Sequence, residues 1–370
     1  MDVRKFLAPL LAVALLGAVG YGIWRSNSGV QQQRIEQSRA AESVSLRGMI
    51  GSEKEPFFAD PRVQAALKAE GISVAVEKVG SRTIAERFDA KTYQFGFPSG
   101  APAAKSLQAK AKAAQVFTPF YTPMVFASWR PIADILVANG IAKKEGDFYY
   151  VVDLPALMDL VGKGARWRDL KASQAFATAK AVLPASTDVR SSNSAAMYLA
   201  LASYLANGQQ VVQSAEDVER VLPSVTPLFL RQGFQEATSA GPFEDYLALG
   251  MGKAPLLVAY ESQMIEFWLK NPKQAKGDMV ILYPKPTVFA KHVLVPFTAD
   301  AVRLGAALEN NPKLRELAHE YGYRTGGEVK GPELWAERGI QVPAVLVDVI
   351  DPPSYEWLER LIQSIETKFK

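Results

Sequence analysis

The sequence predicts an α/β protein with an open sheet behind an N-terminal membrane segment. Three observations carry this. Strand-like apolar runs alternate with helical stretches from Val44 onward, and Gly-Ser turns follow several of the strands. A 19-residue run, Phe6 to Trp24, holds no charge.

Composition bounds the function. The chain has 370 residues, 48% hydrophobic and 22% charged, which suits two folded domains. The net charge is +4 with basic and acidic residues interleaved, so no nucleic-acid partner is expected. Cysteine is absent, which excludes thiol catalysis, thiolate metal sites, disulfides and a lipoprotein anchor. It also fits an exported protein.

At ~1.5 Å per residue the Phe6 to Trp24 run is just long enough to span a bilayer core. Arg4 and Lys5 precede it, which places the N-terminus in the cytoplasm and the rest of the chain outside. An uncleaved anchor fits better than a cleavable signal peptide, its rival. No small-x-small site follows directly, and Ser38-Arg39-Ala40 lies far downstream. Residues 26–43 are polar and read as a tether.

In the globular part, 45–52 reads as a strand ending in a Gly-Ser turn. Phe57 to Glu70 reads as a helix closed by Gly71. Ile72 to Val79 alternates as a strand, and Gly80-Ser81-Arg82 opens another helix. Strands are expected at Tyr93–Phe97 and Val116–Trp129, and a helix at Ile132–Gly140. Leu154–Gly162 reads as helical. A buried strand is expected at Ala179–Ala185, then a polar loop, then an Ala/Leu-rich helix from Ser194 to Gly208. Further helices are expected at Asp217–Phe234 (broken near Pro223 and Pro227), Phe243–Leu249, Thr298–Glu309, Lys313–Tyr321 and from Tyr355. Strands are expected at Ala254–Tyr260 and Met279–Tyr283.

The loop Ser186-Thr187-Asp188-Val189-Arg190-Ser191-Ser192-Asn193-Ser194 is the most suggestive stretch. A helix N-terminus there presents free N–H groups and the positive end of the helix dipole, which favours an anion. The rival reading is that its Ser and Asn residues only cap the helix.

Other chemistry is missing. The two histidines, His292 and His319, are too far apart for a local metal motif, and His319 reads as a surface residue. No Gly-x-Ser-x-Gly occurs, and Gly250-Met251-Gly252-Lys253 lacks the spacing of a phosphate loop. Arg190 interrupts what would otherwise resemble a metal-binding Asp-x-Ser-x-Ser turn at Asp188. Glu53/Glu55 and Glu244/Asp245 read as helix-start charges. No metal or cofactor is expected.

Six segments in this order carry a resemblance: Gly51-Ser52, Gly80-Ser81-Arg82, residues 186–194, 255–263, 282–287 and 322–326. They resemble bacterial extracellular solute-binding proteins of the type 2 periplasmic-binding-protein-like fold, in the superfamily of molybdate and sulfate receptors. The likeness covers roughly Val44 to Gly327. It implies two α/β lobes joined by two crossover strands, near 126–130 and 283–289, with the ligand between them. Lobe one would be 44–127 plus 288–370, and lobe two 128–287.

In such receptors Ser hydroxyls, backbone N–H groups and sometimes a Tyr hold an oxyanion without a counter-ion. Ser52, Ser81, Ser191, Ser192, Asn193, Ser194 and Tyr260 fall where these groups would be. Arg82 and Arg190 depart from that pattern and would suit a carboxylate or phosphate by bidentate pairing. The resemblance implies a small-molecule anion as ligand and an ABC permease or other membrane partner. Import and sensing both remain open. The expected location is the cytoplasmic membrane, single-pass, with the bulk of the chain in the periplasm or outside the cell. No enzyme is expected; the alternative is a hydrolase or transferase on the same fold, with Asp188 or Glu261 as base.

Overall fold

Apolar residues on β1 (Val44–Ile50) and β2 (Ile72–Lys78) pair these strands in parallel, and β3 (Phe95–Phe97) joins the other side of β1. The structure is a computed structural model that describes residues 43–275, 277–326 and 330–369. The expected membrane segment, and the tether up to residue 42, lie outside them. Among the described residues no helix is long and apolar enough to cross a membrane.

Two long strands organise the rest. β4 (Phe117–Trp129) first pairs antiparallel with β9 (Thr287–Pro296), from Phe117↔Leu294 to Pro123↔Phe289. From Met124 onward it changes partners, to β7 (Leu256–Tyr260) and β8 (Met279–Lys285). Beyond β8 come β6 (Tyr149–Asp153) and β5 (Ala142–Lys144), and a short β10 (Val349–Ile350) pairs with β9. The strand order is β2-β1-β3-β9-β4-β8-β6-β5. β4 therefore runs out of one half-sheet into the other, and the β8–β9 segment runs back, with Pro286 between the two strands. We call the β2-β1-β3-β9 half the first lobe and the β7-β4-β8-β6-β5 half the second.

Each lobe has its own apolar core. Phe57, Phe58, Phe95, Phe97 and Phe120 fill the first, together with Leu304 and Leu317. Phe126, Tyr198, Leu199 and Phe229 fill the second, and Trp268 packs on its other sheet face. The last helix, Tyr355–Glu366, buries Leu358, Leu361, Ile362 and Ile365 in the second-lobe core. Its Glu359 meanwhile pairs with Arg82 of the first lobe, so this helix lies across both.

Three expectations are corrected. Residues 179–185 do not form a strand; they make isolated bridges, Arg166↔Ala181 and Ala185↔Leu257. Pro184 has no N–H to donate to a ladder there. The helix Ala215–Leu230 runs unbroken through Pro223 and Pro227, because Val218, Val221, Val225 and Phe229 bury its inner face. The expected 57–70 helix is two, Glu55–Ala59 and Pro61–Ala69, with Asp60 capping the second by accepting from the Arg62 N–H.

Candidate functional site

Turns from both lobes meet where the half-sheets face each other. The first lobe contributes Gly51-Ser52-Glu53 after β1, Val79-Gly80-Ser81 after β2 and Pro98-Ser99-Gly100 after β3. The second contributes the loop before the helix Asn193–Ala206 and Tyr260 at the end of β7. Ser52, Ser81, Ser192, Asn193 and Tyr260 line one cavity together with Gly51, Glu53, Val79, Gly80, Thr238 and Ser239.

Hydrogen bonds fix these groups, and one of them, from Asn193 to the Ser99 carbonyl, crosses the lobe boundary. The Asn193 Nδ2 donates to the Tyr260 hydroxyl at 3.0 Å and to the Ser99 carbonyl at 2.9 Å. The Ser99 N–H donates to Ser81 Oγ at 2.9 Å. Ser192, Ser194 and Thr187 form a hydroxyl chain with spacings of 3.0 and 2.8 Å.

The Ser residues at the cavity are not helix caps. Elsewhere Asp60, Asp153, Ser214, Thr298 and Asn311 cap their helices through the side chain. No side chain caps the starts at Gly51, Gly80 or Ser192. The first N–H groups of the helix Asn193–Ala206 are therefore left for another acceptor.

The lobes touch. Arg82 Nη1 donates to the Arg190 carbonyl at 2.6 Å, and a Cβ on Gly80 would lie 2.3 Å from the Ser191 carbonyl oxygen. The space between them measures 10 Å³ when traced by the centre of a water-sized sphere. That is roughly room for one water. This is a closed arrangement, and a solute of several heavy atoms enters it only if the lobes part.

Four of the residues singled out in the sequence do not line this cavity. Arg82 donates through Nε to Glu359 at 3.0 Å. Arg190 binds Asp188 at 2.9 and 2.6 Å and lies over the Phe369 ring. Ser191 donates to the Ala237 carbonyl, and Ser194 is buried behind Ser192. Nor do the two candidate bases reach the cavity. Glu261 is fully buried; Arg324 donates to both its oxygens at 2.7 Å, and the Tyr283 hydroxyl donates to one of them. Asp188 is held by Arg190. A larger groove of 540 Å³, between Pro155, Met158, Leu205 and Leu228, is lined by residues of the second lobe, mostly apolar, with Gln209, Ser224 and Arg231 among them.

Sequence patterns missed two members of the site, Glu53 and Ser99. Beneath the cavity Lys54 Nζ donates to Glu53 Oε1 at 2.6 Å, to Ser99 Oγ at 2.8 Å and to His292 Nδ1 at 3.0 Å. Burial alone would raise the Glu53 carboxyl; the Lys54 ammonium, His292 and the hydrogen bonds from Lys54 and Ser99 together outweigh it and hold the group at about 2. Burial, with the Lys54 charge, pushes the His292 imidazole well below its usual range.

Neither a protein-family model nor a curated protein matches this sequence. Solved structures do match. Iron-bound HitA from Pseudomonas aeruginosa superposes with a TM-score of 0.53 at 11% identity, covering 87% of this chain and 99% of that one. The periplasmic binding protein AfuA from Actinobacillus pleuropneumoniae, with fructose-6-phosphate bound, gives 0.53 at 11% identity, over 89% and 100%. The sulfate-binding protein SubI from Mycobacterium tuberculosis gives 0.51 at 15% identity, over 81% and 93%. The chain has a type 2 periplasmic-binding-protein fold. In this binding-protein fold the cavity described above lies between the lobes, at the helix ends of the strand turns.

The buried histidines make a pH prediction. His319 is buried rather than at the surface; its Nδ1 donates to the Tyr323 carbonyl at 3.0 Å, and burial lowers its pKa. Unfolded, both imidazoles titrate near ~6.5. Below that pH the unfolded chain takes up protons that the fold refuses, so stability falls as pH falls. The loss is at most about 1.4 kcal/mol per pH unit per histidine. Glu53 acts lower down: its contribution is complete above the unfolded carboxyl value of about 4.3 and is lost as pH falls towards 2. Melting temperature should hold steady from pH 8 to 7 and drop from pH 6.5 to 5, with the drop roughly halved in His319→Gln. A flat profile down to pH 5 contradicts this.

Proposed function

We propose that this protein is an extracytoplasmic solute-binding protein that closes its two lobes on a small anion, for ABC-type uptake or for sensing. The supporting observation is the convergence of uncapped turns from both lobes on one cavity, with the Ser52, Ser81 and Ser192 hydroxyls, the Asn193 amide and the Tyr260 hydroxyl around it. Such groups neutralise a negative solute through many partial charges. The solved structures of like fold include binding proteins for sulfate and a sugar phosphate, which agrees with this ligand class. The proposed lobes are 44–127 with 288–370, and 128–287. The proposal includes an anchor through residues 6–24, with the bulk of the chain outside the cytoplasmic membrane and a permease or other membrane protein as partner. It also includes binding without turnover.

The test is a melting-temperature screen of the purified chain against oxyanions, phosphonates, amino acids and sugars, since a solute that binds only the folded state raises its melting point. Ser81→Ala and Ser192→Ala should each weaken the active anion by roughly ten- to a hundred-fold, the value of one hydrogen bond to a charged group. Stabilisation by neutral sugars alone, unaltered in both variants, would sink the anion site.

A further inference from the structure

Glu53 puts a carboxylate at the edge of a cavity otherwise furnished for an anion. It lines the cavity beside Ser52 and against Gly51, where an added Cβ would meet both of its oxygens at 2.4 and 2.8 Å. Its side chain is 5% exposed. Among the described residues the donors that reach it, Lys54 Nζ and Ser99 Oγ, both go to Oε1. Oε2 has no protein donor there. Lys54 cannot supply one from elsewhere, because its three donor positions are taken by Glu53, Ser99 and His292. The Lys54 charge is spent beneath the cavity on the same carboxylate.

We propose that Glu53 selects the solute: the cleft takes an acidic solute that carries its own hydrogen-bond donor, and rejects an oxyanion that has none. This rests on the anion reading given above. The solute offers negative oxygens to the Ser81 and Ser192 hydroxyls and to the backbone N–H of Asn193, whose side-chain amide is already held by Tyr260 and Ser99, and it offers a proton to Glu53 Oε2. A P–OH group and an ammonium both meet that requirement. Sulfate and molybdate, without a proton near neutral pH, would set an anionic oxygen against a carboxylate in a nearly dry site. A site built around a donor of the ligand rejects analogues lacking it by large factors, up to roughly 10⁴–10⁵ where nothing compensates. Here the helix ends remain attractive to any anion, so the expected discrimination is at least about a hundred-fold.

The experiment is calorimetric titration of the full chain at neutral pH with sulfate, molybdate, inorganic phosphate, methylphosphonate, glycine and a neutral polyol. Binding of phosphate and methylphosphonate, or of glycine, at least a hundred-fold tighter than sulfate and molybdate supports the assignment and shows whether a hydroxyl or an ammonium supplies the proton. Sulfate or molybdate binding within ten-fold of the best donor-bearing anion overturns it and leaves the anion site standing. Binding of the polyol alone, or of nothing in the panel, overturns both. Glu53→Gln presents an amide in place of the carboxylate and should bring sulfate within ten-fold of the preferred solute. Because that change strands Lys54, the double variant Glu53→Gln/Lys54→Met is measured as well. Unchanged selectivity in a folded variant overturns the assignment.

Discussion

Glu261→Gln is expected to destabilise the fold by about 3–5 kcal/mol, the cost of breaking a buried ion pair from one side. The melting temperature should fall by roughly 6–15 °C. Glu261 begins the helix Glu261–Lys270 in the second lobe, and its carboxylate is wholly buried. Arg324 grips both oxygens at 2.7 Å, and its remaining N–H groups reach the Pro343 and Ala344 carbonyls. Arg324 also exchanges backbone hydrogen bonds of 2.9 Å with Tyr121 on β4, close to where that strand passes between lobes. The pair therefore ties the second lobe to the base of the crossover. Gln keeps the volume and removes the charge, which leaves a guanidinium buried without its counter-ion. Glu261→Leu with Arg324→Met removes both charges and should recover much of the loss. Denaturant unfolding decides the matter. A single variant within 1 kcal/mol of wild type would show that the pair holds nothing together.

The fold was legible in the chain where strands bury both faces or helices start at clear turns. Phe117–Trp129 is a nearly continuous apolar run, Ile72–Lys78 begins with apolar residues at every second position, and both are strands. The three turns that suggest a ligand, at Ser52, Ser81 and 186–194, meet at the cavity, as does Tyr260. Local pattern could not show which polar side chains are spent elsewhere. Arg82 and Arg190 stand beside those turns in sequence, but their partners are Glu359, 277 residues away, and Asp188, two away. A distant partner leaves no periodicity to read. Glu53 was hidden for the opposite reason. An acidic residue in the first turn of a helical stretch is ordinary at a surface. Only the tertiary arrival of Ser99 and His292 makes the Glu53–Lys54 pair a buried network. Ser99 itself sits in Pro98-Ser99-Gly100, which has the composition of any turn.

Gly80→Ala should abolish tight solute binding while leaving the unliganded fold intact. Gly80 has φ −64° and ψ 147°, a conformation open to any residue, so alanine brings no backbone strain. Its obstacle is the other lobe. An alanine Cβ would lie 2.3 Å from the Ser191 carbonyl oxygen, and backbone at a loop held by the Ser191 N–H to Asp188 carbonyl bond cannot swing aside like a side-chain tip. Gly100 meets Asn193 in the same way, with an added Cβ 2.0 Å from Oδ1, but there the neighbour is a side chain that can move. Gly80→Ala therefore props the cleft open and keeps Ser192 and Asn193 from reaching a solute held by Ser52 and Ser81. Losing two hydrogen bonds to a charged solute, at about 1.5–3 kcal/mol each, weakens binding by more than roughly a hundred-fold. Gly100→Ala should cost less, because Asn193 can turn away and sacrifice only its own contacts. Small-angle scattering with and without solute is the direct measurement. Wild type should contract on binding and Gly80→Ala should not, with equal melting temperatures before solute is added. If Gly80→Ala contracts and binds like wild type, the contact between Gly80 and Ser191 does not set the closed position of the lobes.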